Sequence, residues 1–106
     1  MALAHSAAYT DTGTKTSILM DPSIAPFNAS VGVNLSSTGN YKLQYSLSDI
    51  NIADADAIWV DSVNIPAGTT ASMVTNFMFP VSRVRVVIAS NGGTVTLETL
   101  QGFTTN

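Results

Sequence analysis

Strict alternation of apolar and polar residues is the feature that most constrains the fold of this chain. Residues 27–35 read Phe-Asn-Ala-Ser-Val-Gly-Val-Asn-Leu, and residues 41–47 read Tyr-Lys-Leu-Gln-Tyr-Ser-Leu. Successive side chains of a β-strand point to opposite faces, so a period of two predicts strands with one buried face and one solvent face. No segment of about ten residues carries apolar residues at the three- and four-residue spacing of a helix. The chain is therefore predicted to be all-β.

The second half of the chain repeats this pattern in residues 83–88 and 94–100. Residues 36–40 are predicted to form a hairpin loop, and Asn91-Gly92-Gly93 a tight turn, because glycine accepts a positive φ angle without steric cost. Seven or eight short strands separated by such turn signals predict a single antiparallel β-sandwich with a jelly-roll-like arrangement. Weaker strands are expected at residues 14–19, 58–64 and 71–75.

The first residues of the chain lack this alternation. Residues 1–13 are small and polar, and we expect an extended N-terminal arm there, followed by a β-sandwich domain in residues 14–106. The apolar positions of the alternating runs are expected to form the core. Trp59 is the only tryptophan, and its large apolar area favours a position that plugs the sandwich. The predicted core residues are Val31, Val33, Leu43, Tyr45, Trp59, Val84, Val86, Ile88, Val95 and Leu97.

Charged residues are scarce, since the 106 residues include four Lys or Arg, seven Asp or Glu, one His and no Cys. Acid–base, thiolate and metal chemistry need those residue types, so we expect no enzyme activity and no cofactor. The net charge of −3 argues against nucleic acid as a partner. No apolar run approaches the roughly 20 residues of a membrane-spanning helix, so no membrane partner is expected. A surface poor in charge tends to associate, and we expect a homo-oligomer, either a dimer or a trimer.

Four aspartates, Asp49, Asp54, Asp56 and Asp61, lie close together in the sequence. Ca²⁺ needs several carboxylates from one loop, but the spacing is not that of an EF-hand and the glycine of such a loop is absent. Aspartate is also a common turn residue, so we favour a solvated loop over a metal site. His5 is the only imidazole and lies in the expected arm, where exposure to solvent or a place at an interface is favoured over a catalytic role.

The aromatic and arginine side chains each allow two interpretations. Aromatic rings could stack on a sugar, but they also carry large apolar area and usually fill the core of a small domain. Arg83 and Arg85 point to the same side of one predicted strand. They could clamp a carboxylate of a partner subunit, or remain solvated and balance an acidic surface. The aromatic residues in question are Tyr9, Tyr41, Tyr45, Trp59, Phe77 and Phe79.

Five segments within residues 14–103 together form a recognisable pattern. They are Tyr41-Lys-Leu-Gln-Tyr-Ser-Leu-Ser-Asp49, Ala57-Ile-Trp59, Phe79-Pro-Val-Ser-Arg-Val-Arg85, Ser90-Asn-Gly-Gly-Thr-Val-Thr-Leu97 and Leu100-Gln101. This pattern resembles that of small virion proteins of tailed bacteriophages. The resemblance implies a jelly-roll or sandwich module of the capsid cement (decoration) type, which staples neighbouring major capsid subunits after the shell expands. It implies the major capsid protein as partner and the capsid surface of the virion as location, after synthesis in the bacterial host cytoplasm. It implies no catalytic residue.

Two alternatives stay open beside the cement function. The first is another virion position, at the neck, the tail or the base of a fibre. The second is a carbohydrate- or receptor-binding module, because residues 41–46 followed by Trp59 are also similar to the core of discoidin-type and carbohydrate-binding sandwiches. Exposure of Trp59 beside other aromatic residues in a groove would favour the second alternative. For a cement protein, we expect the arm and the Phe77–Phe79 region to contact the shell. The expected interface residues are His5, Tyr9, Phe77, Phe79, Arg83 and Arg85.

Overall fold

The period of two in the sequence corresponds to nine strands in the structure. A computed structural model describes residues 2–22 and 27–102 of the chain. Within these ranges there is no α-helix, and residues 54–56 form one short 3-10 turn. The strands are β1 (Ala2–Tyr9), β2 (Gly13–Thr14), β3 (Ile18–Leu19), β4 (Asn28–Leu35), β5 (Gly39–Ser46), β6 (Trp59–Asp61), β7 (Met73–Phe77), β8 (Arg83–Asn91) and β9 (Val95–Gly102).

The strands form two antiparallel sheets with the strand order of a jelly roll. The first sheet has the order β1-β9-β4-β7, and the second has the order β2-β8-β5-β6. Strand β3 also pairs with β8, so β2 and β3 together occupy one of eight strand positions. When the positions are counted along the chain, β4 is the third and β9 the eighth. The first position then pairs with the eighth, the second with the seventh, the third with the sixth and the fourth with the fifth. A long hairpin folded over itself in this way gives the double-sheet jelly roll. The predicted fold class is confirmed.

The predicted hairpin at residues 36–40 is wrong. Strand β4 belongs to the first sheet and β5 to the second, so this segment is an arch that crosses between the sheets. Residues 91–93 form a second arch in the same way, between β8 and β9. The arches contact each other, since Gly92 N donates to Thr38 O at 2.8 Å and Ser36 N donates to Thr94 O at 3.0 Å. Alternation shows which side of a strand is buried, but it does not show which strand is its neighbour.

The contact between the arches explains Gly92 and Gly93. Among the described residues, the glycines with positive φ are Gly13 and Gly68, so the backbone angle is not what requires glycine here. A Cβ atom at Gly93 would lie 2.6 Å from Ser36 Oγ and 2.9 Å from Ser37 Cβ, and both distances are too short for a real contact. Glycine is needed because one arch lies directly on the other.

The core lies between the two sheets, where the inward-facing side chains of β4, β5, β8 and β9 meet. Tyr45 packs against the edge of this core. Of the other predicted core residues, the buried ones are Val31, Val33, Leu43, Val84, Val86, Ile88, Val95 and Leu97. Further buried apolar residues are Met20, Phe27, Ala29, Tyr41, Ile65, Phe77 and Val81.

Trp59 is not in the core, and its prediction as the plug of the sandwich is wrong. In the pairing of β5 with β6, Trp59 lies opposite Ser46 and Val60 lies opposite Tyr45. Tyr45 faces the interior, so Val60 shares its face and Trp59 lies on the outer face of the second sheet. Large apolar area favours burial in general, but the register of β6 decides the face.

Residues 2–9 form a strand, although the sequence shows no strand pattern there. Strand β1 pairs with β9 without a break from Ala2 opposite Gly102 to Tyr9 opposite Val95. It is the edge strand of the first sheet, so few of its side chains are buried and alternation has no reason to appear. The expected arm is thus built into the sheet for most of its length. The boundary between residues 13 and 14 stays a prediction.

Candidate interaction surfaces

A buried arginine holds the loop between β5 and β6 against the second sheet. The Arg83 side chain is 2% exposed, and one of its terminal nitrogens donates to Asp54 Oδ1 at 2.9 Å. Its terminal nitrogens also donate to the backbone carbonyls of Ile52, at 3.0 Å, and Asp49, at 2.7 Å. A buried charge is tolerated when it is paired and hydrogen-bonded in this way. The expected interface role of Arg83 is wrong, because its guanidinium is buried under this loop and bonds to groups of the loop.

Asp54 joins three segments of the chain. Its carboxylate accepts from the backbone N of Ser17 at 2.9 Å and from Ser17 Oγ at 2.7 Å, in addition to the bond from Arg83. Its carbonyl accepts from Trp59 Nε1 at 2.9 Å. Burial raises the pKa of Asp54, but the hydrogen bonds from Ser17 and Arg83 outweigh it and hold the pKa below its usual value. The charged form of Asp54 therefore stabilises the loop.

The four aspartates do not converge on one point. Asp61 Oδ1 accepts from Gln44 Nε2 at 2.8 Å and lies 3.4 Å from Lys42 Nζ, while Asp49 Oδ1 accepts from the backbone N of Asn51 at 2.8 Å. The bond from Gln44 is the largest cause that holds the pKa of Asp61 below its usual value. In the described ranges, no three acidic or histidine side chains lie close enough together to hold a metal ion.

Arg85 and Trp59 stack on the outer face of the second sheet. The guanidinium carbon of Arg85 lies 3.9 Å from the centroid of the Trp59 ring, in cation–π geometry. Arg85 Nε donates to Gln44 Oε1 at 2.8 Å, and Gln44 in turn donates to Asp61. Burial lowers the pKa of Arg85, although Asp54 partly opposes this. The side chains of β8, β5 and β6 thus form a polar ladder, defined here by Arg85, Gln44, Asp61 and Trp59, whose groups bond mainly to one another.

Exposed apolar side chains gather where β5 ends and β6 begins. Leu47 is 63% exposed, Ile58 76% and Val60 42%, and they line a shallow cleft of about 340 Å³. Tyr45 lies opposite Val60, and its ring centroid is 5.7 Å from that of Phe79, which is 46% exposed. Leu47, Ile58, Val60 and Phe79 are called the apolar edge below. The lining of this cleft is mostly apolar.

The outer face of the first sheet is different in character. A cleft of about 550 Å³ lies there, with Ser30 and Gly32 in its floor and Val74, Leu100 and Glu98 among its other lining residues. Glu98 is the only charged side chain on the four strands of this sheet. The face therefore offers shape and small polar groups, with almost no charge.

The six predicted interface residues do not share one surface. His5 is exposed on β1, opposite Thr99, and Tyr9 is half-buried against the core. Phe79 belongs to the apolar edge and Arg85 to the polar ladder. The other two, Phe77 and Arg83, are buried.

The predicted interface residues do not include Leu47, Ile58 and Val60. A signal for them was present in residues 57–61, Ala-Ile-Trp-Val-Asp, where apolar residues occupy both faces of one short strand. A three-residue edge strand cannot bury both of its faces, so some of these side chains had to be exposed.

Comparison with known proteins gives a distant similarity among solved structures. No family model matches the chain, and no curated protein matches it. The chain is similar to a solved structure described by the words "Bacillus endospore appendages form a novel family of disulfide-linked pili". The two share 12% sequence identity over 97% of this chain and 89% of that chain, with a TM-score of 0.39. No helix in the described ranges is long and apolar enough to cross a membrane.

Proposed function

We propose that this chain is a non-catalytic structural protein that binds another protein through its apolar edge. We further propose that the partner is the major capsid protein of a tailed bacteriophage, and that the chain attaches to the capsid surface as a cement protein. The observation that carries the binding surface is the cleft lined by Leu47, Ile58 and Val60. The choice of partner rests on the resemblance of residues 14–103 to small virion proteins.

The apolar edge is suited to binding because its four side chains are 42–76% exposed. Full burial of one Leu, Ile or Val side chain contributes about 1.5–3 kcal/mol, and part of that contribution is still available here because these side chains are largely exposed. Several such contacts together can offset the cost of association. The polar ladder offers less, since its groups already bond to one another.

The arrangement of nucleophiles and bases supports a non-catalytic role. Ser17 Oγ donates to Asp54, but Asp54 is also ion-paired with Arg83 and serves to fix the loop. His5, the only imidazole, lies on β1 in the opposite sheet. A serine activated for nucleophilic attack needs a base oriented toward it, and a carboxylate held by an arginine is a poor base.

Trp59 does not meet the condition set for sugar binding. One face of its ring is covered by Arg85, and the close ring pairs in the described residues join Tyr45, Phe77 and Phe79 without it. An aromatic platform for a sugar needs an open ring face. The carbohydrate-binding alternative is therefore not favoured.

Binding to capsids tests the proposed surface. Expanded capsids prepared without this protein are titrated with the wild-type chain and with Ile58→Asp and Val60→Asp. We expect each variant to bind at least about tenfold more weakly, which corresponds to about 1.4 kcal/mol. Val63→Asp is the matched control, because Val63 is 91% exposed and does not line the cleft. Unchanged binding of both cleft variants, or equal loss in the control, would contradict the proposed surface.

The copy number in purified virions tests the proposed position. Quantitative mass spectrometry should find this chain at a level comparable to that of the major capsid protein. A small fraction of that level would contradict the cement function and favour the neck, tail or fibre base. Absence from virions would reject every virion position.

A further inference from the structure

Strand β1 leaves a long, unprotected sheet edge. It spans eight residues, whereas the edge strands β7 and β6 span five and three, and β2 and β3 span two each. Its pairing with β9 is continuous, with no register shift. On the side away from β9, the structure shows no backbone partner for residues 2–8 among the residues it describes. About half of the N–H and C=O groups of such a strand point away from its neighbour and can bond to another strand.

The sequence of β1 contains none of the usual devices that protect an edge. Proteins block free edges with lysine, other charges, proline, bulges or very short strands. Strand β1 reads Ala-Leu-Ala-His-Ser-Ala-Ala-Tyr and has none of these. Both edges of the second sheet are better protected. The β6 edge carries Asp61, which lies near Lys42, and the β2–β3 edge is interrupted at residues 15–17. The contrast marks β1 as an edge open to pairing.

We propose that β1 pairs antiparallel with β1 of a second copy of this chain, across a two-fold axis. The two four-stranded sheets then form one continuous eight-stranded sheet. Because each strand is identical, a single two-fold contact satisfies both free edges and closes the assembly. This inference concerns the isolated protein and does not depend on the proposed capsid function.

Charge does not oppose this pairing. The nearest charged side chain on the sheet is Glu98, opposite Ser6 in the neighbouring strand β9. In the proposed dimer, the two Glu98 residues lie three strand spacings apart, about 14 Å. That separation exceeds the Debye length of about 8 Å at physiological ionic strength. The outward-facing positions Ala4, Ser6 and Ala8 are small, so they leave room for a partner strand.

The interior of the sandwich is also incomplete along β1. His5 shares the inward-facing register of Thr99 but is exposed, and Ala7 is half-buried. A second β1 strand would lie beside His5 and Ala7 and cover part of their exposed area.

The mass of the isolated full-length chain tests the pairing. Sedimentation equilibrium over about a hundredfold range of concentration should give twice the chain mass of 11.1 kDa at the upper end. Ser6→Lys places a positive charge in the middle of β1 in each copy, a usual device that blocks edge pairing, and we expect it to give the monomer mass. Val74→Lys adds the same charge to the opposite edge strand of the same sheet and should remain dimeric. Thermal melting of each variant shows whether its fold is intact.

Two outcomes would overturn the proposal. A wild-type chain that stays monomeric over the whole concentration range would exclude the dimer. A dimer that survives Ser6→Lys, or that dissociates in Val74→Lys instead, would place the contact elsewhere.

Cysteine cross-linking tests the geometry, because the natural chain has no cysteine. Single variants Ala4→Cys, His5→Cys, Ser6→Cys, Ala7→Cys and Ala8→Cys are oxidised separately. Antiparallel pairing brings together only the position on the axis, so one variant should form a covalent dimer far more than the others. Equal cross-linking of all five would overturn the antiparallel arrangement. A cross-link that forms only with Val74→Cys would indicate pairing of β7 with β7, and absence of any cross-link would exclude the β1 contact.

Discussion

The two sheets of this jelly roll differ in how they use charge. The four strands of the first sheet carry one charged side chain, Glu98. The second sheet carries Lys42, Asp61, Arg83 and Arg85, and these bond to groups of the same chain. Charge in this protein therefore shapes the second sheet and its loop. In the two proposals above, recognition of partners falls to the exposed side chains of the apolar edge and to the free backbone groups of β1.

The largest expected effect is the loss of stability in Arg83→Met. This change leaves Asp54 and the carbonyls of Ile52 and Asp49 without their buried donor. Breaking a buried ion pair costs about 3–5 kcal/mol. Because the Asp54 side chain is 30% exposed, we expect the lower end of that range. A loss of about 3 kcal/mol should lower Tm by about 10–20 °C in a thermal melt.

Arg85→Met is the control for this prediction. Arg85 lies on the same strand and the same face, but it is half-buried and bonds to the side chain of Gln44. We expect its loss to cost less than about 1 kcal/mol. Equal losses in the two variants would show that the loop is not held by the buried guanidinium.

The next effect should come from deletion of residues 1–9. The sequence alone predicts a free arm, whose removal would leave the melting of the fold unchanged. The structure pairs β1 with β9 at eight positions, so removal exposes a new edge and breaks the backbone bonds between the strands. Each backbone hydrogen bond contributes about 0.5–1.5 kcal/mol net, while the ordering of residues 1–9 costs conformational entropy that the deletion avoids. We therefore expect the free energy of unfolding to fall by about 2 kcal/mol. Urea unfolding measures it, and an unchanged midpoint would restore the arm interpretation.

The sequence predicts the layers of this fold better than its connections. Alternation in residues 27–35 and 41–47 correctly identifies the buried faces of β4 and β5, because burial on one face leaves a direct mark on composition. It assigns these strands to a hairpin, whereas they lie in opposite sheets. A short polar segment with glycine suits a hairpin or an arch equally well. The choice depends on the second arch, which lies far away in the sequence.

The candidate surfaces were predicted less well, and for a physical reason. An arginine is usually exposed and a lone tryptophan is usually buried in the core. In this structure Arg83 is buried, and Trp59 lies on the outer face of the second sheet. Arg83 is buried because the loop after β5 folds back over it, and Trp59 lies outside because β6 pairs in a register that turns Val60 inward. Both facts depend on contacts between distant segments, which no local pattern records.

The third prediction concerns acid stability of the second sheet. The pKa values of Asp54 and Asp61 lie below their usual value. A carboxyl whose pKa is lower in the folded state adds stability above its unfolded pKa, and this stability is lost as the pH falls through the folded pKa. We therefore expect stability to fall below about pH 4. Fluorescence of Trp59 should report this change, because its indole N–H donates to the carbonyl of Asp54.

Asp54→Asn provides the control for the acid transition. At neutral pH it removes the charge that faces Arg83, so stability should be lower than in the wild type. Between about pH 5 and pH 3, its stability should change less steeply, because one of the shifted carboxyls is gone. An equal slope in the two proteins would show that Asp54 does not contribute to the transition.

The smallest expected effects come from exposed charges on the two sheets. Lys42 and Asp61 lie 3.4 Å apart, and both are partly exposed, so a double-mutant cycle of Lys42→Met and Asp61→Asn should give a coupling of about 0.2–0.5 kcal/mol. Glu98→Gln on the first sheet should change stability by less than about 0.5 kcal/mol. Added salt should reduce the Lys42–Asp61 coupling and leave the Glu98 variant unaffected, because screening acts only where charges interact. A salt-dependent loss in Glu98→Gln would reveal a charge interaction on the first sheet and would remove the contrast between the two faces.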